Sequence, residues 1–249
     1  MSGPKPPYKT ATVLGMILPI VTVLIYTVVM VFIPRDKLPW FHNETGPVEI
    51  ITALTFLVTA IAAGAIMRHL LKQQPRPSRW FIAWHTLFIL GAVFMFLEET
   101  SYGQHYFNFE SPAYFEEHNK QDEMNLHNLY GDKPSSMLRR VANVGLPVFG
   151  ILMPWIVMSR DPKAYERARW AWYTLPHKEL VLWVLLAALT SPIRNTDFFS
   201  EGETVWRGTL SEFKELLWAM TLCVYGLVMW QRFRADAASS HDTPATDDG

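Results

Sequence analysis

The sequence predicts an all-α integral membrane protein: a six-helix transmembrane bundle with an ordered outer loop between its third and fourth helices. Three observations point there. Half of the residues are apolar, and they are segregated into long runs separated by short charged stretches. Six of those runs approach the ~20 residues that cross a bilayer, and in lipid the helix is the form that satisfies their backbone. Lys and Arg also fall unequally on alternate connections.

The spans read as residues 11–33, 47–67, 80–97, 141–158, 180–193 and 213–230. The second begins at Pro47, which suits a first helical turn. The fourth carries Pro147 and Pro154 and should be kinked. The fifth is short, with Pro192 near its end, so it borrows length from the Trp170 to Leu175 region or tilts little. Most of the tryptophans fall near span ends, as interface anchors do.

One set of connections holds 13 of the 22 basic residues and 7 of the 23 acidic ones. That set is read as cytoplasmic and includes both termini. A six-helix membrane domain thus covers residues 1–234, with outer loop 100–140 and a polar, disordered cytoplasmic tail over 235–249. The first apolar run is too long for a cleavable signal. The lone Cys223 excludes a disulfide framework and a cysteine metal site. Without a Gly-rich phosphate loop or a dense basic patch, nucleic acid is not an expected partner.

The chemistry concentrates where the third span stops. Glu98-Glu99-Thr-Ser-Tyr-Gly-Gln104 is followed by Asn119-Lys-Gln121-Asp-Glu123-Met-Asn125-Leu-His127-Asn128. Glu49 opens the second span, Asn143 the fourth, and Glu212 and Glu215 the sixth, the last pair spaced i, i+3 on one helical side. Carboxylates crowded into a low dielectric need protons, basic partners or a bound cation. Arg139, Arg140, Arg194, Arg207 and Lys214 lie on the same face, but only Lys120 is basic within the block from Glu98 to Asn128.

A divalent metal is therefore a candidate. Glu123 and His127, at i, i+4, share a helical face, and Glu49, Glu98, Glu212 and Glu215 could complete the shell. Oxygen donors predominate, which favours Ca, Mg, Mn or Fe over a three-histidine Zn site. Two blander readings stand beside it: a solvated helix end facing Arg139 and Arg140, and a structural ion-pair belt. The carboxamides tilt the reading towards a site, because ion-pair belts do not need so many. His85, alone inside a span, reads as a packed histidine.

The two strings together resemble a motif of uncharacterised bacterial multi-span membrane proteins, Glu-Glu-x-Ser-x-Gly-Gln and then Asn-x-Gln-x-Glu-x-Asn-Leu-His-Asn. The resemblance covers about 30 of the 249 residues. It implies that the block is one unit and that the chain resides in a bacterial inner membrane. It carries no named activity.

Two functions compete. The first is a metal-dependent hydrolase or transferase acting on a lipid or lipid-linked substrate at the outer face. Its catalytic set would be Glu98, Glu99, Glu123 and His127, and Gln104, Asn119, Gln121, Asn125 and Asn128 would bind substrate. A desolvated carboxylate could instead serve there as general base. The second is a non-enzymatic subunit of a membrane complex, docking a periplasmic or membrane protein through the outer loop. A transporter ranks below both, since its site would lie nearer the midplane in a duplicated fold. In either leading case the stretch 102–128 should fold back onto the bundle, burying Phe107, Phe109, Tyr114 and Phe115.

Overall fold

The computed structural model describes residues 13–34, 36–41, 46–72, 78–119, 124–126, 143–161, 163, 174–176, 180–194 and 203–241. Every regular element among them is a helix. In chain order these are α1 (Val13–Phe32), α2 (Leu38–Phe41), α3 (Pro47–Lys72), α4 (Arg79–Glu99), α5 (Gln104–Phe107), α6 (Ala113–His118), α7 (Asn143–Arg160), α8 (Val181–Arg194) and α9 (Glu203–His241). Five of them (α1, α3, α4, α7 and the Gly208–Ala235 part of α9) are long and apolar enough to cross a membrane. The protein is membrane-embedded. The fifth expected span appears as α8, which is apolar but shorter than the other five.

α9 is the centre of the assembly. It packs along α3 on one side and α8 on the other, while α4 packs along α3. Of its most apolar window 72% is buried inside the protein, against 17% for the more apolar α1. Lipid tails are as apolar as leucine, so packing rather than hydrophobicity decides which helix goes inside. Small residues serve that packing: Ala53, Ala62 and Ala63 of α3 and Ala219 of α9 are all buried. Thr52, Thr55 and Thr59 are buried along α3, and each hydroxyl donates to the carbonyl four residues back, so no hydroxyl is left orphaned in an apolar surround.

Proline shapes two helices. α1 begins with a π turn, Val13–Ile17, just before Pro19, and the Leu14 carbonyl in that turn accepts the Trp183 indole N–H of α8 at 2.8 Å. In α7 a π turn, Val148–Leu152, lies between Pro147 and Pro154, at the predicted kink. There α7 approaches α8 closely: a Cβ on Gly150 would sit 2.7 Å from Val184 Cγ2.

α9 also runs past the predicted end of the membrane domain, to His241. The expected disordered tail is therefore helical over its first residues, because Ala-Asp-Ala-Ala after Arg234 favours helix and no Gly or Pro interrupts it. Residues 242–249 lie outside the described residues.

Candidate carboxylate site

α3 starts, α4 ends and the buried part of α9 begins at the same end of the bundle, and there the acidic residues gather. Glu98 and Glu99 close α4. Consecutive helical residues point about 100° apart, and the two side chains go to different places.

Glu98 faces the loop and is 1% exposed. Its Oε1 accepts the Tyr102 hydroxyl at 2.8 Å and its Oε2 accepts the Leu126 backbone N–H at 2.9 Å. Between them the chain turns through three successive left-handed residues, Ser101, Tyr102 and Gly103, with φ of 43°, 53° and 87°. That conformation costs roughly 1–2 kcal/mol for each non-glycine residue, so the turn needs support. The Tyr102–Glu98 bond provides part of it, and Asn125 Nδ2 donating to Ser101 Oγ at 3.3 Å provides more. Gly103 is suited to its place twice over, by its φ and because a Cβ would meet the Phe107 ring at 2.9 Å.

The carboxamides complete this knot. Gln104 donates to Ser111 Oγ at 2.9 Å and accepts the Met124 N–H at 2.8 Å. Asn119 Nδ2 donates to the Asn125 carbonyl at 3.2 Å and to Asn125 Oδ1 at 3.0 Å, with both residues buried. Of the predicted substrate-binding residues, Gln104, Asn119 and Asn125 thus bind the loop itself, and Glu98 anchors it. Tyr102 is part of the same knot: burial, and then its bond to Glu98, push its hydroxyl up to about 12.

Glu99 turns the other way, into the bundle. Glu49, in the first turn of α3, shares side-chain hydrogen bonds with Glu99 and with Glu212 of α9. Glu215, one turn further along α9, interacts with both Glu49 and Glu99. Three helices therefore deliver four carboxyl groups to one place. Two carboxyls hydrogen-bond to each other only through a proton that one of them carries, so this arrangement holds protons between its members. Glu49 is also favoured by its position at a helix N-terminus, where negative charge is stabilised. The sequence missed Tyr26 of α1, whose hydroxyl donates to the Thr209 carbonyl at 2.6 Å, whose ring stacks on Phe213 at 3.7 Å, and which interacts with Glu212. A tyrosine set within an apolar span was the available signal.

Gln121, Glu123, His127 and Asn128 lie outside the described residues, as do Arg139 and Arg140. Among the described residues no group of three or more His, Cys, Asp or Glu side chains is placed to hold a metal ion. His85 is packed, as expected: it is buried, with Nδ1 2.9 Å from the Phe81 carbonyl and its ring edge-on to Phe233.

The aromatic side chains of the loop correct the expectation. Phe107 is 80% exposed, Tyr106, Phe109 and Tyr114 are exposed as well, and Phe115 is only partly covered. The knot is held by polar bonds close to the chain, which leaves its rings turned outwards beside the membrane-spanning helices, where rings of this kind suit an interface.

No protein-family model, curated protein or solved structure matches the chain.

Proposed function

We propose that the protein is a membrane-embedded hydrolase or transferase for a lipid or lipid-linked substrate, with the carboxyl cluster as its acid–base centre. The observation that carries this is Glu49 hydrogen-bonded to both Glu99 and Glu212 across three helices. Carboxyls that share a proton can divide the two roles: an ionised member takes the proton of the attacking water or alcohol, and a protonated member gives one to the leaving oxygen. Glu215 keeps the pair charged unequally by its proximity. The Glu98 knot holds the loop next to this centre and fixes the end of α4 from which Glu99 projects.

A divalent metal, one of Ca, Mg, Mn, Fe or Zn, belongs to this reading through Glu123 and His127, which follow the knot in sequence. It would polarise the substrate oxygen or lower the pKa of bound water. In the same reading α8 is the sixth span, both termini are cytoplasmic, and the ordered loop 100–140 faces outwards from a bacterial inner membrane. The excess of basic residues on the opposite connections supports this orientation.

The test is hydrolysis of ester- or phosphoester-linked lipids by purified protein in detergent, with Glu99→Gln and Glu49→Gln alongside. Both variants should stay folded and lose turnover. Turnover that survives in both removes the acid–base centre. A second reading, docking of a partner protein through the loop, is favoured by the exposed Tyr106, Phe107, Phe109 and Tyr114. In that case Phe107→Ser would lose a co-purifying membrane partner while the carboxyl variants kept it.

A further inference from the structure

A crevice of about 330 Å³ runs between α1, α8 and α9, with Val23, Met30, Leu186, Leu189 and Phe213 among its walls. That volume is at the small end of the range for small-molecule sites, about 300–1,000 Å³. All three of its helices are apolar, and Leu189 and Val31 on its rim are exposed, so it opens sideways from the bundle rather than towards the loop. At membrane depth an aliphatic chain is what can enter it from that side. No lysine or arginine lines it.

One end of the crevice is polar. Tyr26, which lines it, bonds to the Thr209 carbonyl and stacks on Phe213, another lining residue. Glu212 is one turn beyond Thr209 on the same side of α9 and is joined through Glu49 to the rest of the cluster. Lys214 lies about 200° further round the helix by its spacing. An apolar channel that ends at carboxyl groups and has no basic side chain along it complements a tail with a cationic head. It offers nothing to a phosphate or a carboxylate.

We propose that this crevice binds a single-chain amphiphile with a primary-amine head, its tail between α1 and α8 and its amine at Glu212. The proposal rests on the reading of the carboxyl cluster as the functional centre and names the class of molecule that reaches it. The substrate then enters laterally, from the lipid.

Native mass spectrometry of the full-length protein in detergent tests it, with tetradecylamine, tetradecanol and tetradecanoate as probes. The amine should bind at least about tenfold more tightly than the other two, a difference of about 1.4 kcal/mol. Glu212→Gln should erase that preference while leaving the alcohol bound as before. Leu189→Trp, which fills the crevice, should weaken the amine and the alcohol together. Equal binding of the three probes, a preference that persists in Glu212→Gln, or binding untouched by Leu189→Trp would each overturn the proposal. Ester turnover separates it from the enzymatic reading: amine binding without turnover leaves the crevice standing and removes the enzyme, and turnover without amine preference does the reverse.

Discussion

Glu98 and Glu99 are neighbours on one helix, yet one is anchored to the loop and the other to the bundle. Glu98 spends its two oxygens on Tyr102 and Leu126, within 28 residues of itself in sequence. Glu99 meets Glu49 and Glu212, carried by helices far away along the chain. The first environment is filled with donors that match the carboxylate. The second gathers carboxyls against carboxyls, an arrangement that gives no stability of its own and persists because helix packing imposes it. Groups held together at such a cost are the better candidates for chemistry, and the well-matched ones are the better candidates for architecture.

Substitutions should separate the two. Glu98→Ala leaves the Leu126 N–H and the Tyr102 hydroxyl without their acceptor and removes support from a strained turn. At about 1–3 kcal/mol for each buried group left unsatisfied, it should cost about 3 kcal/mol, read as lower thermal stability in detergent and faster proteolysis of the loop. Glu99→Gln should change stability by less than about 1 kcal/mol, since a carboxamide can still donate and accept, while abolishing turnover. If the two variants exchanged these phenotypes, the division between knot and cluster would be wrong.

The cation gives a finer test. Stoichiometric metal in the purified protein, lost in both Glu123→Gln and His127→Ala, would place these two residues in the centre with Glu99. Retention in either variant would separate them from it. Because Ca and Mg exchange readily, a blank elemental measurement is followed by titration with each ion.

Asn125→Ala should have a smaller effect, about 1–2 kcal/mol, from the lost bonds to Asn119 and Ser101, with turnover reduced only as far as the loop loosens. The smallest effect is that of alkaline pH on the knot. Tyr102 keeps its proton in the folded protein up to about 12, above the ordinary value of 10.0. The unfolded chain therefore releases the proton first as pH rises, and the stabilisation, complete below pH 10, is lost between 10 and 12. Tyr102→Phe should remove that alkaline step from the unfolding profile; an unchanged step would assign it to another group.

Much of the fold was legible in the chain because the bilayer imposes it. Apolar run length located the spans within a few residues, and the Pro147 and Pro154 pair marked the place where α7 carries its π turn. The polar block at the end of α4 stood out by composition alone, as did the i, i+3 pair Glu212 and Glu215 that joins it. What the sequence could not assign was direction. Both glutamates of the pair read as catalytic, since helical rotation separates them but only packing decides what each one meets. The carboxamides read as substrate ligands because a side chain that bonds its own loop has the same composition as one that bonds a ligand. Phe107 read as buried because aromatic area favours burial in water, whereas beside a membrane an outward ring is equally at home. The central place of α9, less apolar than α1 yet far more enclosed, was decided by close packing, for which hydropathy carries no signal. Tyr26 meets Thr209 across 183 residues of chain, a contact that no local pattern encodes and that exists only once α1 has docked on α9.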